Sequence, residues 1–207
     1  EKETANFHHI YNVLRAKTGE ILEVVDIESK TLYITEIRDG NGNLKVKDIV
    51  KKEKNNTKIT VYQAAIKGER FEYFLEKTTE QGVDKIFVIP LKRNVVKFKE
   101  NEKNKKEERF KKILESSSKQ SRRLDIPKLK ILNNNEMINS LEKEDIVFVL
   151  YEERVKETID VRNMVNIIRE KRYNNIGIII GAEGGIDDTE IEEFKNFSES
   201  NFSKFEK

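Results

Sequence analysis

Ile176-Gly177-Ile178-Ile179-Ile180-Gly181-Ala182-Glu183-Gly184-Gly185 is the stretch whose reading decides the fold. Its first half is apolar at consecutive positions. A strand needs that pattern when both of its faces are buried, as in a parallel sheet covered by helices. Its second half carries three glycines in five residues, which permit positive φ and close backbone approach to a ligand. Asp187 followed by Glu190 opens a helix as a capping box, with Ile191 and Phe194 inward.

The same grammar runs backward along the chain. Ile59–Ala65, Ile86–Ile89, Leu129–Leu132 and Ile146–Leu150 read as strands. Helices are predicted over about 69–81, 105–120 and 156–170. Phe71, Phe74, Leu75 and Thr78 share one face of the first. Phe110, Ile113, Leu114 and Ser117 share one face of the second, and Val161, Met164, Val165 and Ile168 one face of the third. Gly82 ends the first helix as a left-handed residue. Strands alternating with helices predict an α/β domain over residues 57–207. Residues 1–56 differ. Ile21–Val25 and Thr31–Thr35 are short strands, Thr18-Gly19 and Asp39–Gly42 are turns, and a short helix is possible only over Phe7–Arg15. They predict a small β domain, with the apolar-free run Lys51–Asn56 as linker.

The 207 residues suit one large or two small domains. There is no cysteine, which excludes disulfides and a thiol nucleophile, and two histidines leave little for zinc. No metal and no membrane span are expected, and without a signal-peptide pattern the expected location is cytoplasmic. The net charge of +2 hides an asymmetry. Residues 92–130 carry 15 basic and 6 acidic side chains, while 131–207 carry 10 and 17. A basic block of this kind attracts a phosphate backbone, although a solvated lysine-rich face has the same composition.

Ligands of open α/β sheets bind beyond the carboxyl ends of the strands. Two such ends stand out, Leu150-Tyr151-Glu152-Glu153 and Gly181–Gly185. The second is neither a dinucleotide fingerprint nor a P-loop. Glu183 repels phosphate, so a neutral or cationic ligand fits better, and the residues alone point to a nucleotide-like or cationic small molecule at the strand ends. Lys119-Gln120-Ser121-Arg122-Arg123 offers two guanidiniums able to grip phosphate; a polar helix end with cations on its dipole reads equally well. Phe7-His8-His9-Ile10 with Arg15 reads as structural packing or as a base and phosphate contact.

Taken in order, these segments resemble the bacterial 16S ribosomal RNA uracil-N3 methyltransferase family, of the SPOUT class. His8–Glu20 is similar to its opening histidine and "VLR" stretch. Lys67–Glu72 with Lys77–Val83 is similar to its "KGD" and "KATELGV" helix. Gln120–Arg123 with Ile126-Pro127 is similar to "QSGR…IP", and Gly181–Gly185 to "GPEGG". Ala182 stands for the loop proline, and Arg122 for a glycine.

The resemblance implies a PUA-like β-barrel over residues 1–56 and a SPOUT α/β domain over 57–207 with a C-terminal trefoil knot, one of the rare exceptions to unknotted topology. It implies a homodimer acting in rRNA processing and ribosome biogenesis on 16S rRNA or the small ribosomal subunit. S-adenosylmethionine would be held by Leu150, Tyr151, Glu152, Gly181, Ala182, Glu183, Gly184 and Gly185. Arg123 and Glu183 would serve catalysis. His9, Arg15, Lys67, Arg93, Gln120 and Arg123 would contact RNA. The family closes its knot with a segment resembling "LG.RILR.ETA". Residues 197–207 carry no counterpart, and the expectation is of residues omitted across Ser200-Asn201-Phe202. A non-catalytic RNA-binding relative is the alternative from another class, and a SPOUT methyltransferase acting on transfer RNA the alternative enzyme.

Overall fold

The computed structural model describes residues 5–50, 56–151, 161–200 and 205–206. It divides into two compact units: residues 1–54 with Arg122–Asp125, and 55–121 with 126–207.

The first unit contains a helical turn, α1 (Ala5–His8), that continues in wider π geometry through Val13, so that Leu14 N–H reaches the His9 carbonyl. Three antiparallel strands follow: β1 (Ile21–Asp26), β2 (Thr31–Ile37) and β3 (Leu44–Val50), with β2 central. The Asp26 carboxylate shapes the first hairpin by accepting from the Glu28 N–H and the Ser29 hydroxyl. Asp39 shapes the second by accepting from Asn41 and Asn43 N–H. The strand β3 has no counterpart in the sequence reading. Six of its seven residues are exposed, so its apolar side chains leave no burial pattern to read. Arg122–Asp125 belongs to this unit through ion pairs of Arg122 with Glu23 (3.2 Å) and Asp125 with Lys30 (2.9 Å).

The second unit is a parallel sheet in the order β6-β5-β4-β8-β7-β9. Its strands are β4 (Lys58–Ala64), β5 (Lys85–Ile89), β6 (Lys128–Ile131), β7 (Ile146–Leu150), β8 (Asn175–Ile180) and the two-residue β9 (Phe205–Glu206). Each expected strand is present. Helices α2 (Gly68–Glu80) and α3 (Glu100–Gln120) cover one face, where Phe71, Leu75, Phe110 and Leu114 pack on Val61, Ile86 and Val88. Helices α4 (Asn134–Leu141) and α6 (Asp188–Ser200) cover the other, where Met137, Leu141, Ile191 and Phe194 pack on Tyr62, Ala64, Val147 and Ile179. Alternate residues of β4 thus enter opposite cores, which is why its sequence is apolar without alternation. Gly82 closes α2 at φ +94°.

Four local readings need correction. α3 begins at Glu100, five residues before its predicted start, because its first turns are charged and carry no apolar period. α4 was not predicted; it is capped by Asn133, which accepts from Glu136 N–H while Glu136 accepts in return. In α2 the buried threonine is Thr79 and not Thr78. α5 is described over Val161–Lys171, where Met164, Ile167 and Ile168 pack on Ile146, Phe148 and Ile176, and Val165 is exposed.

Candidate active site

The carboxyl ends of β4, β5 and β8 meet in the second unit. Gln63, next to last in β4, is 2 % exposed, and its amide donates to the carbonyls of Ala64 (3.0 Å) and Gly181 (3.1 Å). The chain leaves β8 at Gly181 and turns back tightly. Gly185 N–H donates to the Ala182 carbonyl at 2.9 Å, with Gly185 at φ +73°. A Cβ on Gly181 would stand 3.0 Å from the Gly185 carbonyl carbon and from Ile186 Cγ1, so any other residue would have to push the turn aside. Ala182, which stands where the resemblance has a proline, supplies the carbonyl that accepts in this turn.

Glu183 projects from the turn. Its Oε1 accepts from Lys67 N–H at 3.2 Å, at the entry to α2. Its own backbone N–H, the Lys67 N–H and the nearby Lys67 and Arg70 charges hold its carboxyl below the usual range. Lys67, Gly68, Glu69, Arg70, Val95 and Glu183 line an open groove of about 520 Å³. On the other side of β8, Leu150 pairs with Ile180 and is exposed, and the Tyr151 hydroxyl donates to Asp188 at 2.6 Å, at the start of α6.

The second unit therefore brings together Leu150, Tyr151, Lys67 and the loop Gly181–Gly185. Glu152 and Glu153 lie outside the described residues. Arg93 stands over the loop, with Nη1 donating to the Gly184 carbonyl at 3.2 Å. Gln120 ends α3 in the second unit, while Arg123 belongs to the first. Arg123 is ion-paired with Asp125 at 2.9 Å, its side chain 11 % exposed. His9 and Arg15 also lie in the first unit, His9 in the π turn and Arg15 at φ +54°. Sequence reading passed over Gln63 and over Lys92, whose N–H donates to Glu190 Oε1 at 2.8 Å. A glutamine inside an otherwise apolar strand is the signal that would have found the first. Among the described residues, no cluster of three or more His, Asp or Glu could hold a metal, and no helix is long and apolar enough to cross a membrane.

Comparison with known proteins gives the family. The RNA methyltransferase domain family matches residues 53–204, and the RNA methyltransferase PUA domain family residues 3–49. The chain belongs to the RNA methyltransferase family. Within it, the chain is 31 % identical to the ribosomal RNA small subunit methyltransferase E 2 of Borreliella burgdorferi, over 94 % of this chain and 78 % of that protein. It is 24 % identical to the ribosomal RNA small subunit methyltransferase E of Bacillus subtilis, over 89 % of this chain and 74 % of that one. Among solved structures, the Neisseria gonorrhoeae ribosomal RNA small subunit methyltransferase E bound to S-adenosyl methionine superposes with a TM-score of 0.70 at 18 % identity, covering 97 % of this chain and 78 % of that one. Membership in the family covers the N-terminal unit as well as the sheet.

Proposed function

We propose that this protein methylates N3 of a uridine in 16S ribosomal RNA, using S-adenosylmethionine held at the carboxyl ends of β7 and β8. The observation that carries the reading is the Gly181–Gly185 turn: a cradle that a Cβ at Gly181 would fill, bearing a carboxylate kept ionised at neutral pH. That donor set fits a cofactor with a nucleoside and a cationic centre. The backbone of Gly181, Ala182, Gly184 and Gly185 would hold the nucleoside beside exposed Leu150 and Tyr151, with Glu152 as a further holder. Glu183 would face positive charge. Bound there, S-adenosylmethionine supplies an electrophilic methyl group on a sulfonium.

The chain's own residues would position the base and manage its charge. A uridine must leave its pair to expose N3, and its N3 proton must go before the nitrogen has a lone pair to offer. The lowered pKa of Glu183 favours holding the loop over taking that proton. Arg123, fixed by Asp125, would stabilise the developing negative charge on the uracil. His9, Arg15, Lys67 and Gln120 would contact the RNA. We extend the reading to a PUA-like barrel around β1–β3, which the PUA domain match over residues 3–49 supports, and to a trefoil knot in the C-terminal part, with a working boundary at 56/57. We extend the reading to a homodimer in the cytoplasm, acting on rRNA or the assembled small subunit.

The test is methyl transfer from labelled S-adenosylmethionine to small ribosomal subunits lacking the modification, followed by nucleoside analysis. Label in 3-methyluridine is expected. Label in another nucleoside, or binding of RNA without transfer, overturns the reading. Arg123→Ala should lower transfer about 100-fold while cofactor affinity stays within about twofold; equal loss of both would make Arg123 structural.

A further inference from the structure

The segment after β5 is fastened to the glycine loop from several directions. Glu190, on α6, is 5 % exposed, and both of its oxygens are taken by backbone donors. Oε1 accepts from Lys92 N–H at 2.8 Å, and Oε2 from Asp187 N–H at 3.2 Å. The Arg93 guanidinium adds two contacts, Nη1 to the Gly184 carbonyl at 3.2 Å and Nε to Asp187 Oδ2 at 3.4 Å. Lys92 Nζ donates to the Thr189 hydroxyl at 2.6 Å. The near end of this fastening is itself rigid. Asn94 is buried, its amide donates to the Ile89 carbonyl at 2.9 Å, and its N–H donates to the Leu91 carbonyl.

Besides the Gln63 and Lys67 contacts at Gly181 and Glu183, the loop has little within itself to hold it. Inside Ala182–Gly185 the one backbone hydrogen bond among those described is Gly185 to Ala182. Glycine backbone loses the most conformational freedom when ordered. A loop of this composition adopts one shape only if something outside it narrows the ensemble, and cofactor affinity scales with the fraction already in that shape.

We infer that Arg93 and Glu190 are positioning residues that latch the glycine loop in its cofactor-binding shape, and that Arg93 acts on the loop and not on RNA. The inference rests on the reading that Gly181–Gly185 holds S-adenosylmethionine. A guanidinium presents its donors in a fixed fork. Two of the five on Arg93, at Nε and Nη1, are already directed at Asp187 and Gly184, so a phosphate would have to share this side chain with the loop. Glu190 is the deeper half of the latch. Its carboxylate offers acceptors to two N–H groups at once, which a glutamine amide cannot do.

The experiment uses the full chain and the variants Arg93→Ala, Arg93→Lys and Glu190→Gln. Backbone hydrogen exchange over residues 182–187 is measured without ligand, and affinities are measured for S-adenosylmethionine and for a 16S rRNA fragment at fixed salt. Arg93→Ala should speed exchange at 184–187 and weaken cofactor binding about tenfold, with RNA affinity within about twofold. Arg93→Lys should fall between, since an ammonium can meet Asp187 but cannot fork to Gly184. Glu190→Gln should act in the same direction as Arg93→Ala. Unchanged exchange in Arg93→Ala together with weakened RNA binding overturns the inference and makes Arg93 an RNA contact. Faster exchange in a protein whose wild type has no affinity for S-adenosylmethionine would uphold the latch and overturn the cofactor reading instead.

Discussion

The two ends of the parallel sheet each hold a carboxylate, and hold it in opposite ways. At the amino end Glu144, just before β7, is 1 % exposed. The Tyr62 hydroxyl donates to its Oε1 at 2.9 Å and accepts from the Ser140 hydroxyl at 2.8 Å. Glu144 Oε2 and the hydroxyl of Thr60 are buried without a hydrogen-bond partner. Gly177 makes the room, since a Cβ there would stand 3.2 Å from Glu144 Cγ and 3.3 Å from the Tyr62 ring. Burial pushes the Glu144 carboxyl above its ordinary range, against the lowering effects of the Tyr62 hydroxyl and of Lys85. At the carboxyl end Glu183 meets water, backbone N–H groups and cations, and is pulled down. The same side chain is thus an element of the packed interior at one end and an ionised, solvent-facing group at the other. Solvent access and the count of donors make the difference.

The sharpest way to break the carboxyl end is Gly181→Ala. The added Cβ meets backbone at 3.0 Å, which cannot yield as a side chain tip would. Methyl transfer should fall about 100-fold through a displaced loop, with the far-ultraviolet circular dichroism unchanged. Next is Gln63→Leu, which strips donors from the Ala64 and Gly181 carbonyls and should cost about 2 kcal/mol in urea unfolding. The smallest effect lies at the amino end. A carboxyl raised by folding contributes stability that is complete below the unfolded value of about 4.3 and is lost as pH rises through the folded one. Glu144→Gln should therefore match wild type near pH 4 and be more stable near pH 7, by about 1 kcal/mol, as read from urea midpoints at both pH values. Lys85 and Asp145 are the other charged groups acting on this site and are common to both proteins. A variant less stable than wild type at pH 7 would mean that Glu144 is ionised and paired.

The sheet was legible because double burial leaves a signature no other element has. Ile176–Ile180 and Ile146–Leu150 are apolar at every position or nearly so, and Gly181–Gly185 marks a loop by composition alone. Elements whose energetics are local and polar were less visible. The charged first turns of α3 have no period, and α4 is announced only by the Asn133–Glu136 cap. The exposed β3 was missed for the opposite reason, since its apolar residues cover no core. What fixes the candidate site was illegible in another sense. Gln63 reaches Gly181 across 118 positions, and Arg93 reaches Gly184 across 91; no window along the chain holds both partners. The close pairing of Arg123 with Asp125 is short in sequence, yet the packing of Arg122–Asp125 with the first unit is not visible in its residues.

The strand order has a consequence for how the chain is made. β8 lies between β4 and β7, and it is synthesised after both. Until Asn175–Ile180 leaves the ribosome, β4 lacks one of its two neighbours, and β7 lacks both of its own, β8 and β9, over the 24 residues 151–174 that separate it from β8. At about 5–20 residues per second, those edges stand open for roughly seconds, each a row of unpaired N–H and carbonyl groups beside Ile146–Leu150. Nascent chains stalled inside that window should be the ones that need a chaperone, and a ribosome pausing after Ile180 should release them from that need.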